Sequence, residues 1–502
     1  MADILIQKKN ESYITVSAEQ STLQELQDSF TFFAEGYKFN PKYKSKIWDG
    51  KIRLLKITHR NKGEIYFGLI NQIISFCKSR EYTIEFDESL KVKNNTTEKD
   101  LEDYLDHIKE GFKNTDIEIR DYQYIGYTSS ILKKRQLVLS PTSSGKSLNI
   151  YLICKYFSDK GMKGLIVVPT VSLVHQITDN FREYSEHNGW IAEDNIHNIY
   201  TGQEKNTNKL ITISTWQSLH TIKNQNFFQQ YDYVIVDEVH TAKALSLTSI
   251  LEKCTNASYR IGFTGTLDGL KVNEKTLIGL FGPINKLITT KELMDRKQVA
   301  SFNIKCLVLK YDKETCKILK KYKYQDEIKY LITNTKRNNF IKNLAFSMEK
   351  NTIILFNFVE THGKVIYELL LNSKHRNGRN IYFIHGGVDG EERERIRKIM
   401  ETESNAIVVA SSGTMSTGVS IKNLHNIIFA ISGKSRIRNL QSIGRVLRLH
   451  ENKDSATLYD IADNLSIGKH QNFSLIHFLE RIKTYNQEQF DYKLINVDFT
   501  QG

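Results

Sequence analysis

The chain has 502 residues, 40% of them hydrophobic and 25% charged, with a formal net charge of +13. That length is more than one hydrophobic core fills, and the composition excludes disordered, collagenous and disulfide-stapled classes. The basic excess points to a polyanionic partner, because Lys and Arg displace counterions condensed on phosphate backbones. Cys77, Cys154, Cys254, Cys306 and Cys316 stand far apart with no CxxC pair, so neither a zinc site nor a disulfide framework is indicated. The opening MADILIQKKN lacks a basic segment leading into an apolar one, and no run is long enough to cross a bilayer. A soluble, reduced, cytoplasmic protein with no membrane partner is expected.

Residues 1–115 carry short alternating runs (YITVSA, KIRLLKI, EIYFGLI, YTIEF) and one helical segment, STLQELQDSFTFF, which predict a small α+β domain. Between Tyr37 and Lys62 nine basic residues face one acid, Asp49, and Tyr37, Phe39, Tyr43 and Trp48 interleave with them. Cations for phosphates and flat rings for bases make a nucleic-acid surface, with Lys42, Lys44, Lys46, Trp48, Lys51 and Arg53 as DNA contacts. The competing reading is a small domain whose aromatics form its core. KNNTTEKDLEDYLDHIKEGFKNTD then reads as a linker carrying a solvated helix.

From residue 116 to 297, apolar runs alternate with amphipathic ones: QLVLS, GLIVVP, LITIST, YDYVIVDE and YRIGFTGT are the strand segments. Alternation of this kind gives βαβ units and a parallel sheet. SPTSSGKS, residues 140–147, falls between a strand and a helix. It keeps Gly145, Lys146 and Ser147 of the phosphate-loop pattern, with serine where glycine is usual at Ser140 and Ser143. Backbone N–H groups at the helix start, including those of Thr142, Ser143 and Ser144, would cradle phosphate oxygens, Lys146 would add a point charge, and Ser147 would ligate Mg²⁺. Asp237 and Glu238 close the strand YDYVIVDE at the edge where parallel sheets place their sites. Asp237 would serve Mg²⁺, and Glu238 would orient and deprotonate the attacking water.

The pattern restarts between 298 and 465 with NTIILFN, NIYFIHG, AIVVAS and NIIFAI, so a second α/β domain is expected, followed by a C-terminal extension over 466–502. Within QSIGRVLR, Gln441, Arg445 and Arg448 share one helical face beside an apolar stripe of Ile443, Val446 and Leu447. Guanidinium groups in that register can stabilise charge on a γ-phosphate.

In this order the segments resemble the motifs of superfamily 2 helicases: SPTSSGKS, VVPTVSLVHQ, STWQSL, DEVH, FTGTL, LFNFVE, ASSGTMSTGVSIKNL and QSIGRVLR. The resemblance implies two tandem RecA-like domains, ATP and Mg²⁺ as cofactors, and adenine recognition by RDYQ, in which Arg120 and Gln123 contact the nucleotide. Gly418 would join the nucleotide site. Thr170, Gln176, Thr215, Gln217, Ser411, Ser412 and Thr414 would touch the DNA backbone, their small polar groups suiting contacts that ignore base identity. The segment ASSGTMSTGVSIKNL has Val419 and Ser420 after Gly418, without the acid usual in the family's motif, and Gly265 stands in FTGTL, where the family usually has SAT or TAT.

The N-terminal segment, with YQDEIK, TKRNN, STGVSIKNLH and QSIGRVLR, is similar to the UvsW helicases of T-even bacteriophages. That likeness implies an ATP-dependent DNA helicase that remodels Holliday junctions, stalled forks, D-loops and R-loops, with 3′ to 5′ movement. It further implies recombination or single-strand-binding proteins as partners, and the host-cell cytoplasm as location. An RNA helicase, a double-strand translocase that does not unwind, and a hydrolysis-dead nucleic-acid clamp are the alternatives.

Overall fold

Gly164–Val168, Ile211–Thr215 and Tyr233–Val236 are buried at every position, as strands must be when helices cover both faces of a parallel sheet. The computed structural model describes residues 2–500 except 91–94, 187, 201–203, 206, 241–243, 268, 418–420, 432–442, 445, 446, 448, 449, 451 and 452. The chain divides into two units: Met1–Ser140 with Gly145–Ile288, and Pro141–Ser144 with Thr289–Gly502.

In the first unit seven parallel strands run in the spatial order Ile196–Ile199, Ile211–Thr215, Gly164–Val168, Tyr233–Val236, Tyr259–Thr264, Arg135–Leu139, Ile284–Lys286. All five predicted strands are present. Ile196–Ile199 and Ile284–Lys286, too short to stand out as apolar runs, complete the two edges.

The same unit begins with a mixed five-stranded sheet in the order Lys56–His59, Lys62–Tyr66, Tyr13–Ala18, Ile4–Lys8, Ile84–Phe86. Helices Gln20–Ser29 and Ile70–Arg80 bury Leu23, Leu26, Ile73 and Cys77 in its core. This small α+β domain is fused to the motor sheet. Arg135 Nη2 lies 2.5 Å from Glu11 Oε2 and donates also to the Glu11 carbonyl, while Arg260, fully buried, donates to Ser12 Oγ at 2.9 Å. A Cβ on Gly68 would come 2.1 Å from the Ile278 carbonyl oxygen, so glycine alone permits this approach.

Helix Glu98–Phe112, expected to be solvated, instead buries Leu101, Leu105, Ile108 and Phe112 in a cluster with Tyr127, Ile131 and Tyr156. The intervening acids mask an i, i+4, i+7, i+11 stripe that faces the motor domain.

The second unit repeats the plan with seven parallel strands: Ile381–Ile384, Ile407–Ser411, Thr352–Phe356, Asn426–Phe429, Ser455–Asn464, Ser301–Lys310, Tyr492–Asp498. The last three were not anticipated, and the tail supplies one edge of the sheet. The molecule is thus two tandem RecA-like parallel-sheet domains preceded by a small α+β domain. All five cysteines are free and buried. Among the described residues no helix is long and apolar enough to cross a membrane.

Candidate active site

Three adjacent strands of the first sheet, Tyr233–Val236, Tyr259–Thr264 and Arg135–Leu139, end at one edge and bring DEVH, FTGTL and SPTSSGKS together. Ser140 remains part of the strand ladder, its N–H donating to the Thr264 carbonyl at 3.0 Å. It is absent from the left-handed residues, so the glycine usual at this position is not required here. Ser143 does take a left-handed conformation, φ +70°, as does Gly145 at φ +81°. Ser144 Oγ donates to the Pro141 carbonyl at 2.7 Å and closes the turn; Thr142 and Ser143 are half-buried. The helix Lys146–Asp159 then begins, presenting its first N–H groups at the loop.

Lys146 Nζ lies 3.3 Å from the Ser140 carbonyl oxygen and 3.8 Å from Glu238 Oε1, between the loop and the acidic pair. Asp237, only 7% exposed, is fixed through its own N–H to the Val167 carbonyl, and its carboxylate accepts from the Glu238 N–H at 2.9 Å. Burial above all, then the neighbouring Glu238 charge, push the Asp237 pKa up to about 7, against the pull of Lys146. Glu238 leaves the strand with φ +51°, turning its side chain where a β conformation would not.

Sequence reasoning gave no role to His240 or Thr264. His240 Nδ1 sits 2.6 Å from Thr264 Oγ1 and 3.3 Å from Glu238 Oε2. Because Thr264 Oγ1 donates to the Thr266 carbonyl at 2.8 Å, the short contact makes Nδ1 the donor. His240 thus links the DEVH segment to the FTGTL turn by a hydrogen bond, with Glu238 Oε2 3.3 Å from the same nitrogen. The signal available in sequence was the fourth residue of DEVH.

RDYQ joins the loop from behind. Gln123 is buried; its Nε2 donates to the Gly145 carbonyl at 3.3 Å and its Oε1 accepts from the Arg120 N–H at 2.9 Å. A Cβ on Gly145 would lie 2.3 Å from Gln123 Nε2. The half-buried Arg120 donates to Tyr122 Oη at 2.8 Å.

Among the described residues no group of three or more His, Cys, Asp or Glu could hold a metal alone. The half-buried Ser147 hydroxyl and the buried Asp237 carboxylate are hard oxygen donors too few for an all-protein cage. That suits Mg²⁺, which takes one or two protein oxygens and completes its shell with phosphates and water.

The residues expected to meet nucleic acid are spread over several elements. Thr170 caps helix Val171–Ser185 by accepting from the Leu173 N–H, and Gln176 is exposed one turn on. Thr215 is 4% exposed, its hydroxyl engaged in capping Trp216–His220. The exposed Gln217 donates to the Pro169 carbonyl at 3.2 Å, which links the VVPTVSLVHQ and STWQSL segments. In the second unit Ser411 Oγ and Thr414 Oγ1 are 2.7 Å apart, and Ser412 Oγ donates to the Phe356 carbonyl. Ile443 and Leu447 are buried; Gln441, Arg445, Arg448 and Gly418 lie outside the described residues.

The N-terminal aromatics are not core. The ribbon Thr31–Phe33 with Lys51–Arg53 carries an excursion in which Phe39 is 82% exposed and Tyr37, Tyr43 and Trp48 are half-buried. Lys42, Lys44 and Lys46 are exposed, Lys51 lies over the Phe33 ring at 5.6 Å, Arg53 pairs with Asp49, and Trp48 Nε1 donates to the Lys51 carbonyl.

Comparison with known proteins places this geometry. Residues 3–87 match the "DNA helicase UvsW, N-terminal" family, 116–269 the "Type III restriction enzyme, res subunit" family, and 335–450 the "Helicase conserved C-terminal domain" family. The ATP-dependent DNA helicase uvsW of Enterobacteria phage T4 is 33% identical over 99% of this chain and 100% of its own length. A crystal structure of T4 UvsW superposes with a TM-score of 0.51 at 31% identity, covering 99% of both chains. A putative ATP-dependent RNA helicase of Acanthamoeba polyphaga mimivirus is 25% identical over 65% of this chain and 60% of its own. With its motor sheets, phosphate loop and N-terminal domain all matched along the full length, the chain belongs to the UvsW family of ATP-dependent DNA helicases.

Proposed function

We propose that this helicase uses ATP hydrolysis to remodel branched DNA, regressing forks, migrating Holliday junctions and unwinding D-loops and R-loops. The observation that carries the reading is that the first unit holds Lys146, Asp237 and Glu238 together with an N-terminal domain whose basic ribbon and excursion leave the Phe33 and Phe39 rings in solvent. Phosphates alone would be served by the lysines; rings left in solvent add contacts that the unpaired bases of a branch point can satisfy.

In this reading Lys146 and the N–H groups of Thr142 to Ser147 hold the β- and γ-phosphates of ATP. Ser147 and Asp237 would hold Mg²⁺, which neutralises charge on the phosphate oxygens. Glu238 orients water and accepts its proton, with the Lys146 ammonium 3.8 Å from its carboxylate. Gln441, Arg445 and Arg448 of the second RecA-like domain act on the γ-phosphate, Arg120 and Gln123 on the base, and Gly418 completes the nucleotide set. Thr170, Gln176, Thr215, Gln217, Ser411, Ser412 and Thr414 grip the backbone of the tracked strand, while Lys42, Lys44, Lys46, Trp48, Lys51 and Arg53 hold the branch.

The test is a matched panel of linear, forked and four-way junction DNA, scored for ATP turnover and for product. Turnover and strand rearrangement are expected on forks and junctions above linear DNA; equal activity on all three overturns the preference. The mimivirus relative makes RNA the second reading. Stronger stimulation of ATPase by RNA than by forked DNA would select it.

A further inference from the structure

Away from the nucleotide site, the second unit leaves large apolar side chains in solvent within a basic setting. Tyr322, Tyr324, Phe473 and Ile476 are 39%, 42%, 37% and 39% exposed. Tyr324 opens helix Tyr324–Thr333, Tyr322 lies in the turn just before it, and Phe473 and Ile476 come from helix Phe473–Gln487. Glu327 locks these helices together. It is 2% exposed, and its carboxylate accepts from the N–H groups of Phe473 and Ser474 at 2.9 and 2.7 Å and from Asn472 Nδ2 at 3.0 Å. A buried carboxylate at a helix start satisfies N–H groups that have no partner within the helix.

The clamp fixes the Tyr324 and Phe473 rings as well. Tyr324 meets Phe473 edge to face with centroids 5.8 Å apart and lies 5.4 Å from His477. Rings already held by their neighbours lose little freedom on binding. Around them the run Lys320, Lys321, Tyr322, Lys323, Tyr324 is exposed throughout, and Lys317 is exposed just before it. The exposed acid that follows, Asp326, is engaged in capping the helix by accepting from the Lys323 N–H at 3.2 Å, which leaves the lysines in excess. Exposed apolar surface of this kind marks a binding face. The lysines choose its occupant, since a polyanion with planar faces matches both features and a basic or purely apolar partner matches one at most.

We infer that this surface binds single-stranded nucleic acid, Tyr322 and Tyr324 stacking on bases while Lys320, Lys321 and Lys323 meet phosphates. The inference rests on the proposed action on DNA and adds a grip on the second unit distinct from Ser411, Ser412 and Thr414. The full-length protein is tested with fluorescent oligothymidylate and a blunt duplex of equal length, by anisotropy across a salt series. Tyr322→Ala/Tyr324→Ala is expected to weaken oligothymidylate binding roughly 5- to 150-fold per stacked base lost. Duplex binding, whose bases are already stacked, is expected to change little. Lys320→Gln/Lys321→Gln/Lys323→Gln is expected to flatten the slope of log Kd against log salt by about 2, three phosphates at about 0.7 each.

Wild-type affinity and slope in both variants, at wild-type unfolding temperatures, would overturn the inference. Equal loss on single strand and duplex, or a changed oligomeric state with unchanged affinity, would do the same, the latter assigning the face to protein contact. Failure of the wild type on the branched panel, with oligothymidylate binding still sensitive to these residues, would instead overturn the proposed function.

Discussion

Both units bury charge, and they balance it differently. At the edge of the first sheet two adjacent carboxylates, Asp237 and Glu238, share the nearby ammonium of Lys146, which stands 3.8 Å from Glu238. In the second unit the buried carboxylates Asp463 and Asp460 each have a forked partner, while the buried Glu327 is met by N–H groups. Arg337 donates from Nε and Nη2 to the two oxygens of Asp463 at 2.8 and 2.9 Å, with Tyr311 adding a third bond. Arg481 and Tyr485 do the same for Asp460. Charge matched within the chain is scaffold, whereas charge left in excess at a sheet edge is poised for a ligand that restores the balance.

The largest effect expected from this contrast is on turnover. Lys146→Ala should lower ATP hydrolysis about 10³-fold while DNA binding persists, because the lost ammonium acts on phosphate charge. Phosphate release and anisotropy on the same preparation check both halves, and substantial remaining turnover would remove Lys146 from the site.

In the second unit the same kind of deletion should act on folding. Arg337→Leu strands Asp463 and should cost about 3–5 kcal/mol, whereas Arg337→Leu/Asp463→Leu should recover most of that loss, since a well-packed apolar pair replaces a buried ion pair at little cost. Denaturant titration of the two variants decides it. A double variant as unstable as the single would mean that the pair does more than balance charge.

Asp237 joins the two halves of the comparison. Its native pKa, raised by burial toward about 7, exceeds the unfolded carboxylate value of about 3.9. Between those values the native state binds more protons than the unfolded one, so stability falls as pH rises through that window, and the full cost is present above it. In metal- and nucleotide-free protein, Asp237→Asn should therefore raise the unfolding temperature at pH 8, flatten its pH dependence between 4 and 7, and abolish turnover. An Asn variant no more stable than wild type at pH 8 would show that the carboxylate is solvated. A stability gain bought with lost activity is the signature of a functional site.

Much of this contrast was legible in sequence because the proposed nucleotide site is written in contiguous motifs. SPTSSGKS and DEVH each follow an apolar strand, and the parallel sheet brings their ends together. The scaffold pairs were not legible. Strand Ser455–Asn464 reads as polar because Asp460 and Asp463 interrupt it, and their partners lie 21 and 126 residues away. The His240–Thr264 contact spans 24 residues across two strands, a relation that spacing does not encode. Helix Glu98–Phe112 was hidden by acids on its outer face, although its apolar stripe is regular.

The smallest predicted effects lie within the phosphate loop, at two left-handed residues of different type. At Gly145, φ +81°, an added methyl group would meet both backbone strain and Gln123 Nε2 at 2.3 Å, so Gly145→Ala should destabilise by about 1–2 kcal/mol and displace the Gln123 amide from the loop. At Ser143, φ +70°, that strain is already present. Ser143→Gly releases about 1–2 kcal/mol of left-handed strain but loosens the unfolded chain by about 0.5–1 kcal/mol, leaving a net gain of up to about 1.5 kcal/mol. Thermal unfolding of the two variants should therefore shift in opposite directions, although each only exchanges glycine for a residue with a Cβ or the reverse. If Ser143→Gly destabilises as well, the serine side chain holds the loop open more firmly than the backbone resists it, and the substitution of serine for glycine here is a constraint on the nucleotide site instead of a tolerated departure.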